Sequence, residues 1–225
     1  MARVLVVGAG PMGGLPSALL GRRPPGPSPR RVVVWDQARG PGGRMATSRS
    51  PYNSRCTADL GAQYLTFTPQ YSERHPSFYD ELLANRVLKP LTSSVEGMVV
   101  KEGECNFLAP QGVSSIVKYF LRESGVDIFY EHRVTKVFLR SGKWEVHRET
   151  GPAEELDIVI LTIPVLQILQ LQGDIVNTEE TESQRREFAK LYGYTYQNDF
   201  VGGDGMFRRG CIHGVAMGRK RLDGT

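Results

Sequence analysis

The feature that most constrains the fold is a set of three glycines directly after a short apolar segment near the start of the chain. Residues 3–7 read RVLVV, an apolar and β-branched run that is typical of a buried strand. Gly8, Gly10 and Gly13 follow with the spacing G-x-G-x-x-G. Residues 11–20 open with proline and are predicted to be helical. A strand, a glycine turn and a helix in this order predict the first unit of an α/β domain with a parallel sheet.

Each glycine has its own physical role in this motif. Gly8 permits the tight turn, Gly10 lets a pyrophosphate approach the backbone, and Gly13 lets the helix pack closely on the strand. The phosphates then lie at the helix N-terminus, where free N–H groups and the helix dipole favour negative charge. A second apolar strand, Val32–Asp36, ends in a carboxylate that can accept hydrogen bonds from a ribose diol. The sequence therefore predicts dinucleotide binding; the alternative for the glycines alone is an ordinary tight turn.

Composition excludes several other classes of function. No apolar run in the 225 residues approaches the ~20 residues that cross a bilayer, so no membrane span is expected. The three cysteines form no C-x-x-C pair and the four histidines are scattered, so neither a disulfide framework nor a metal site is expected. The formal charge of +4 comes from residues 185–225, which hold eight basic and four acidic side chains. This basic segment contains no nucleic-acid motif, so nucleic-acid binding is not expected.

Further segments carry helix, strand or loop patterns. Helices are predicted over Ser77–Val87, over Gly112–Gly125, where one face is apolar, and over Thr178–Tyr192. Leu156–Thr162 is apolar enough to be a central strand. The prolines of Arg22–Arg31 predict an irregular connection.

Two more segments resemble motifs of a known family. GGRMATS (Gly42–Ser48) is similar to the G-G-R motif of the FAD-dependent amine oxidases and their relatives, and DLGAQY (Asp59–Tyr64) is similar to their D-x-G-A-x-aromatic element. APQGVSSIVKYFL, HRVTKV and DIVILTIP then occur in that group's order, and CTADLGAQY, EGMVVKEGECNF and PVLQILQLQGDI resemble its renalase-like branch. The resemblance implies an α/β fold. A Rossmann-like FAD-binding domain, with a central parallel sheet and a β-meander crossover, is joined to an incomplete substrate domain of mixed strands and helices.

The resemblance also implies roles for individual residues, and a flexible loop is the alternative for G-G-R alone. It places Arg44 beside the pyrophosphate or the isoalloxazine, where a fixed cation favours the negative charge of reduced flavin. It places the adenine against Val134, for which a simple core valine is the alternative. The other implied contacts are backbone approach at Gly42 and Gly43, small side chains beside the ring system at Gly61 and Ala62, polar and planar contacts from Gln63 and Tyr64, and a backbone contact of Met12 with the diphosphate.

The chemistry that the resemblance implies is oxidation of aberrant dihydro isomers of NAD(P)H, with noncovalent FAD and O₂, to NAD(P)⁺ and hydrogen peroxide. Positioning supplies most of the barrier reduction for a hydride step, so no catalytic residue is assigned. Oxidation of monoamines such as catecholamines is one alternative, and an inactive truncated form that acts as a binding or signalling protein is another. The expected partners are a dihydronicotinamide dinucleotide and O₂, with a protein partner if the chain is secreted. Both a cytoplasmic location and secretion without a cleaved signal peptide remain open.

The resemblance ends near Arg186, which predicts a truncated or alternatively spliced member of the family. Asp204, in VGGDG, is similar to an acid in the family's late Gly-Asp element that meets the ribityl chain. The alternative is that this segment is a glycine-rich, poorly ordered tail. The predicted division is an FAD-binding domain in two segments, 1–88 and 109–165, a substrate-domain segment at 89–108, the start of the substrate domain at 166–192, and an atypical tail at 193–225.

Overall fold

A computed structural model describes residues 1–22, 30–69, 73, 76–93, 95–98 and 101–175. In chain order its helices are α1 (Pro11–Arg22), α2 (Pro76–Ala84), α3 (Ser114–Ser124) and α4 (Val165–Ile168). Its strands are β1 (Ala2–Val7), β2 (Arg30–Trp35), β3 (Thr47–Arg49), β4 (Thr57–Asp59), β5 (Leu65–Phe67), β6 (Lys89–Pro90), β7 (Cys105–Leu108), β8 (Asp127–Phe129), β9 (Val134–Arg140), β10 (Lys143–Arg148), β11 (Glu154–Leu156), β12 (Ile158–Leu161) and β13 (Gln172–Gly173). The predicted helix at residues 178–192, the tail and Asp204 lie outside the described residues.

The centre of the described chain is a parallel sheet with the strand order β12-β1-β2-β8. Val4 pairs with Val32 on one side and with Ile158 on the other. The two strands predicted around the glycine motif are confirmed, and both have largely buried residues because they lie inside this sheet. The first residues of β2, Arg30 and Arg31, correct the prediction that the irregular connection extends to residue 31.

The predicted central strand Leu156–Thr162 is wrong in two respects. Leu156 ends β11, whereas β12 begins at Ile158, and β12 lies at the edge of the described sheet. The break falls at Asp157, where the Asp157 carboxylate accepts a hydrogen bond from the Arg3 N–H at 2.7 Å. The Asp157 N–H donates in turn to the Arg3 carbonyl at 3.0 Å. Because this paired contact holds the chain as it passes from one sheet to the next, a continuous apolar run becomes two strands.

A second sheet, with the order β11-β10-β9-β13, covers one face of the parallel sheet and forms the predicted β-meander. Its strands β9, β10 and β11 are antiparallel neighbours. Between the two sheets lies a core of apolar side chains that are all less than a tenth exposed: Leu5, Val7, Val33, Trp35, Val134, Val137, Val146, Leu156 and Leu171. The buried residues of β9 are Val134 and Val137, which lie three positions apart across a register shift in the pairing with β10.

The other face of the parallel sheet is covered by α1 and α3. The predicted apolar face of α3 is confirmed, since Val113, Ile116, Val117, Phe120 and Leu121 are each at most 4% exposed. The helix ends where Gly125 adopts a left-handed conformation with φ 62°.

The helix α1 extends two residues beyond its predicted end and passes through Pro16. Ser17 lies next to that proline, and its hydroxyl donates to the Gly13 carbonyl at 2.7 Å. At the other end, Gly21 permits close contact with α3, because an added Cβ would lie 1.9 Å from the Ser124 carbonyl oxygen.

Two smaller units complete the described fold. The hairpin β3–β4 pairs Thr47 with Asp59, and a three-stranded sheet has the order β5-β7-β6. The predicted helix Ser77–Val87 is shorter at its C-terminus, since α2 ends at Ala84 and Arg86 adopts φ 56°. Among the described residues, no helix is both long and apolar enough to span a membrane.

Candidate dinucleotide site

The glycine motif forms a tight turn at the carboxyl end of β1, and close packing requires two of its glycines. Gly8 adopts φ 113° and its N–H donates to the Trp35 carbonyl at 2.7 Å. A Cβ at Gly8 would lie 2.7 Å from the Thr162 hydroxyl oxygen, and one at Gly13 would lie 1.8 Å from the Gly8 carbonyl oxygen. These positions are therefore closed to any larger residue, as close packing between helix and strand demands.

Gly10 differs from the other two glycines of the motif, because an added Cβ would clash with nothing there. An added Cβ would have the Gly43 Cα, 3.9 Å away, as its nearest neighbour. The Gly42 N–H donates to the Ala9 carbonyl at 2.9 Å, which ties the loop of Gly42 and Gly43 to the glycine turn. A Cβ at Gly43 would in turn lie 3.4 Å from the Gly10 Cα, and no side chain lies within 4 Å of an added Cβ at either residue. The two backbones are therefore in contact with each other and leave an uncovered gap beside them at the start of α1. This cradle, which a Cβ would partly fill, fits a diphosphate at a helix N-terminus.

The carboxylate of Asp36 lies directly beside the glycine turn. One oxygen accepts the Ala9 N–H at 2.5 Å and the other accepts the Ala38 N–H at 2.7 Å. A carboxylate has about four lone-pair sites, so two remain after these bonds. Asp36 is half-buried and lies at the end of β2. It is thus placed both to hold the turn and to accept hydrogen bonds from ribose hydroxyls.

The segments resembling G-G-R and D-x-G-A pack against each other through their backbones. A 3-10 turn at Gly43–Met45 carries Arg44, whose side chain is exposed. An added Cβ at Gly61 would lie 1.7 Å from the Arg44 carbonyl oxygen. The small residue at position 61 is therefore required by the approach of the Arg44 backbone, whatever it also offers to a ring system.

The remaining predicted residues differ in their exposure. Gln63 is exposed, Tyr64 is half-buried, and Met12, in the first turn of α1, is 49% exposed. The side chain of Ala62 is fully buried, and that of Val134 is 7% exposed within the core between the two sheets. Because these two side chains are buried, a ligand would contact Ala62 and Val134 through their backbone atoms.

Two residues at this site carry contacts that the sequence analysis did not assign. The Asp59 Oδ1 accepts the Thr47 hydroxyl at 2.6 Å and the Val113 N–H at 2.9 Å. Thr47 Oγ1 in turn accepts the Ser114 N–H at 3.0 Å. The sequence shows Asp59 as the acid that opens the D-x-G-A element, but it does not show its hydrogen-bond partner. That partner, the Val113 N–H at the start of α3, lies more than fifty residues away in the chain.

A cavity of about 330 Å³ lies elsewhere, beside the strands β2 and β8. Two of its three guanidinium groups form close ion pairs, since Arg3 pairs with Glu154 at 2.6 Å and Arg31 pairs with Asp127 at 3.0 Å, whereas the buried Arg148 Nε has no hydrogen-bond partner. The Arg148 guanidinium lies 3.6 Å from Glu154 and also covers the ring of Trp35. None of the residues that line this cavity belongs to the glycine turn or to the Gly43–Met45 turn, so the cavity lies outside the site. No cluster of side chains suited to a metal ion occurs among the described residues.

Comparisons with known proteins agree with this geometry. A family model described as an NAD(P)-binding Rossmann-like domain matches residues 6–82. Renalase from Mus musculus is 53% identical over 195 residues, which are 87% of this chain and 56% of the mouse protein. The chain therefore spans about half the length of this curated relative.

Solved structures of putrescine oxidase share the fold. Wild-type putrescine oxidase bound to putrescine has a TM-score of 0.57 at 13% identity, covering 82% of this chain and 63% of that chain. A double mutant of the same oxidase has a TM-score of 0.57 at 11% identity, with the same coverage of both chains. At such low identity this likeness concerns the architecture alone.

Proposed function

We propose, from the chain's relation to renalase over 195 residues, that it is the FAD-binding part of a flavin-dependent oxidoreductase. The observation that carries the proposal is the uncovered backbone of Gly10 and Gly43 at the start of α1, next to a glycine turn that the Asp36 carboxylate holds through the Ala9 N–H. This arrangement suits an adenine dinucleotide, because it combines close backbone approach, a helix N-terminus and an acceptor for ribose hydroxyls.

Each part of the chain contributes separately to holding FAD in this proposal. The first turn of α1 faces the diphosphate with the positive end of the helix dipole and with the Met12 N–H, since the Gly13 and Gly14 N–H groups donate to the Gly10 carbonyl. Asp36 orients the ribose, and the exposed guanidinium of Arg44 supplies a positive charge near the diphosphate or the ring system. FAD, when bound, supplies the ability to accept a hydride and to pass two electrons to oxygen. The residues around it bind and orient, and none is assigned a proton-transfer role.

The finer proposal concerns the substrate. We propose that the whole protein oxidises dihydro isomers of NAD(P)H that are reduced at the wrong ring carbon. The dihydronicotinamide ring loses a hydride and becomes NAD(P)⁺, and O₂ takes up two electrons and two protons to become hydrogen peroxide. The relation to renalase supports this proposal. Secretion and a protein partner stay predictions of the sequence.

One experiment tests both levels of the proposal on the purified full chain. The visible spectrum is recorded before and after titration with FAD, and the flavin-loaded protein is then mixed anaerobically with 2- or 6-dihydro isomers of NAD(P)H. Ordinary NADH and an amine such as putrescine serve as comparisons. Bleaching of the flavin by the isomers, followed by peroxide on admission of air, is the expected result.

The other outcomes are also decisive. A folded chain that takes up no FAD would refute the proposed function. Bleaching by the amine alone would replace the proposed substrate with amines. A flavin that binds but is bleached by neither compound would refute turnover by this chain and favour a binding role.

A further inference from the structure

The start of α3 is held by two side chains from the β3–β4 hairpin and not by a cap of its own. Val113, the residue before the helix, makes no side-chain capping hydrogen bond. The Val113 N–H donates instead to Asp59 Oδ1, at 2.9 Å, and the Ser114 N–H donates to Thr47 Oγ1, at 3.0 Å. The Thr47 hydroxyl donates to the same Asp59 oxygen at 2.6 Å, so the two side chains form one unit. Gly112, with φ 86°, leaves room for Thr47.

This unit is connected to the cofactor cradle on both sides. On one side, Asp59 precedes Leu60, whose N–H donates to the Ala46 carbonyl at 2.9 Å, and Gly61, which packs on the Arg44 carbonyl. On the other side, α3 packs along α1, where a Cβ at Gly14 would lie 3.4 Å from Val117 Cγ1. The path therefore runs from the glycine turn through α1, α3 and the hairpin back to the Arg44 loop, residues 42–45. It closes where Gly43 meets Gly10.

We propose that Asp59 is a positioning residue for the cofactor: by joining the hairpin to α3, it supports the direct Gly42–Ala9 hydrogen bond in fixing the distance between the Arg44 loop and the glycine turn. This inference rests on the proposed function. Asp59 acts through Thr47 and the start of α3, and it does not itself touch FAD. Asp59 thus supports the part of the cradle that faces the flavin, whereas Asp36 lies at the part that faces the ribose.

The test compares Asp59→Ala and Thr47→Val with Asp59→Asn in the full chain. The alanine variant removes the shared acceptor, and the valine variant removes the hydroxyl at nearly constant shape. Asparagine keeps an oxygen at Oδ1 and is the conservative rescue. Gly125→Ala is the matched control, because it strains the opposite end of the same helix, where the added Cβ has open space.

Two readouts separate positioning from general loss of stability. The dissociation constant for FAD, compared with that for ADP, is measured by isothermal titration. Asp59→Ala and Thr47→Val are expected to weaken FAD about tenfold and ADP by less than threefold, and Asp59→Asn to stay within about threefold of the parent. In the cofactor-free chain, hydrogen exchange at the N–H groups of Met45 and Leu60 is expected to accelerate about tenfold in the first two variants and not in Gly125→Ala.

The outcomes distinguish this inference from the proposed function. Equal losses for FAD and ADP, or equal exchange at Met45 and Leu60 in the Asp59→Ala and Gly125→Ala variants, would overturn the positioning role while leaving FAD binding intact. A parent chain that does not bind FAD would overturn the proposed function and this inference with it. If Asp59→Ala does not fold, Thr47→Val gives the same comparison.

Discussion

Substitution of Gly10 by alanine should separate cofactor binding from folding. Gly10 is not among the glycines with positive φ, and the nearest protein atom to an added Cβ is 3.9 Å away. The folded chain should therefore accept alanine, and a narrower unfolded ensemble would raise stability by at most about 1 kcal/mol. The same methyl group would project into the gap that is proposed for the diphosphate. An excess methyl in a filled site costs about 1–3 kcal/mol, which corresponds to FAD binding weakened about 5- to 150-fold.

Gly13→Ala should give the opposite result. Its Cβ would lie 1.8 Å from the Gly8 carbonyl oxygen, so α1 and the turn would have to separate by more than about 1 Å in a closely packed interior. We expect the melting temperature to fall and FAD binding to fall with it. Gly40→Ala, where an added Cβ meets nothing within 4 Å, is the neutral control.

The assay combines thermal unfolding of the cofactor-free chain with isothermal titration of FAD. If Gly10→Ala binds FAD as tightly as the parent, or if it melts as far below the parent as Gly13→Ala does, the assignment of the gap to the diphosphate is wrong.

Three further predictions concern the framework around the site. The Arg22 guanidinium, with help from the Tyr119 hydroxyl, holds the pKa of the Glu81 carboxyl below its ordinary value. The ionised Glu81 carboxylate therefore contributes up to about 1 kcal/mol to folding stability at neutral pH, and this contribution is lost as the pH falls through the lowered pKa. Glu81→Gln should be less stable than the parent at pH 7 and equal to it near pH 2. Urea unfolding at several pH values measures this, and a difference in the free energy of unfolding that does not change with pH would contradict it. Gly125→Ala should lower the free energy of unfolding by roughly 1–2 kcal/mol and Gly125→Asn by less, because at φ 62° the backbone is left-handed, a conformation that asparagine adopts more readily than alanine. Equal melting temperatures for the two variants would contradict this. Asp36→Ala should leave the N–H of the buried Ala9 without its acceptor, whereas the N–H of the exposed Ala38 can bond to water, and the cost should be about 1–3 kcal/mol even without FAD. Unchanged urea unfolding would contradict this.

The sequence predicted those parts of the fold that depend on local pattern. The strand–turn–helix unit around Gly8, Gly10 and Gly13 follows from glycine chemistry and an apolar run, which neighbouring residues alone determine. The buried face of α3 follows from a spacing of three and four residues, and its end follows from Gly125. The helix α1 continues through Pro16, which a local rule disfavours, because packing against α3 and the sheet outweighs one missing hydrogen bond.

The features of the fold and of the site that could not be predicted from the sequence depend on contacts between residues far apart in the chain. Nothing near Asp157 indicates that Arg3, on another strand, divides an apolar run into two strands. The sequence likewise suggested that Gly61 is small to admit a ring system, whereas its first requirement is the approach of the Arg44 carbonyl. The link from Asp59 to the start of α3 is of the same kind. In each case a side chain or its absence has meaning only after the fold brings two segments together.

The cradle and its supports lie within the described part of a chain that spans 56% of its curated relative. The groups that face the proposed diphosphate and ribose lie between Gly8 and Arg44. The parallel sheet that carries them packs against α3 on one face and against the meander on the opposite face. In the proposed function, cofactor binding depends on these contacts, whereas turnover also requires a surface that holds the substrate ring against the flavin. The two properties are physically separable. A chain that binds FAD and fails to oxidise a dihydronicotinamide would fit the cradle described above, but turnover without FAD retention would not.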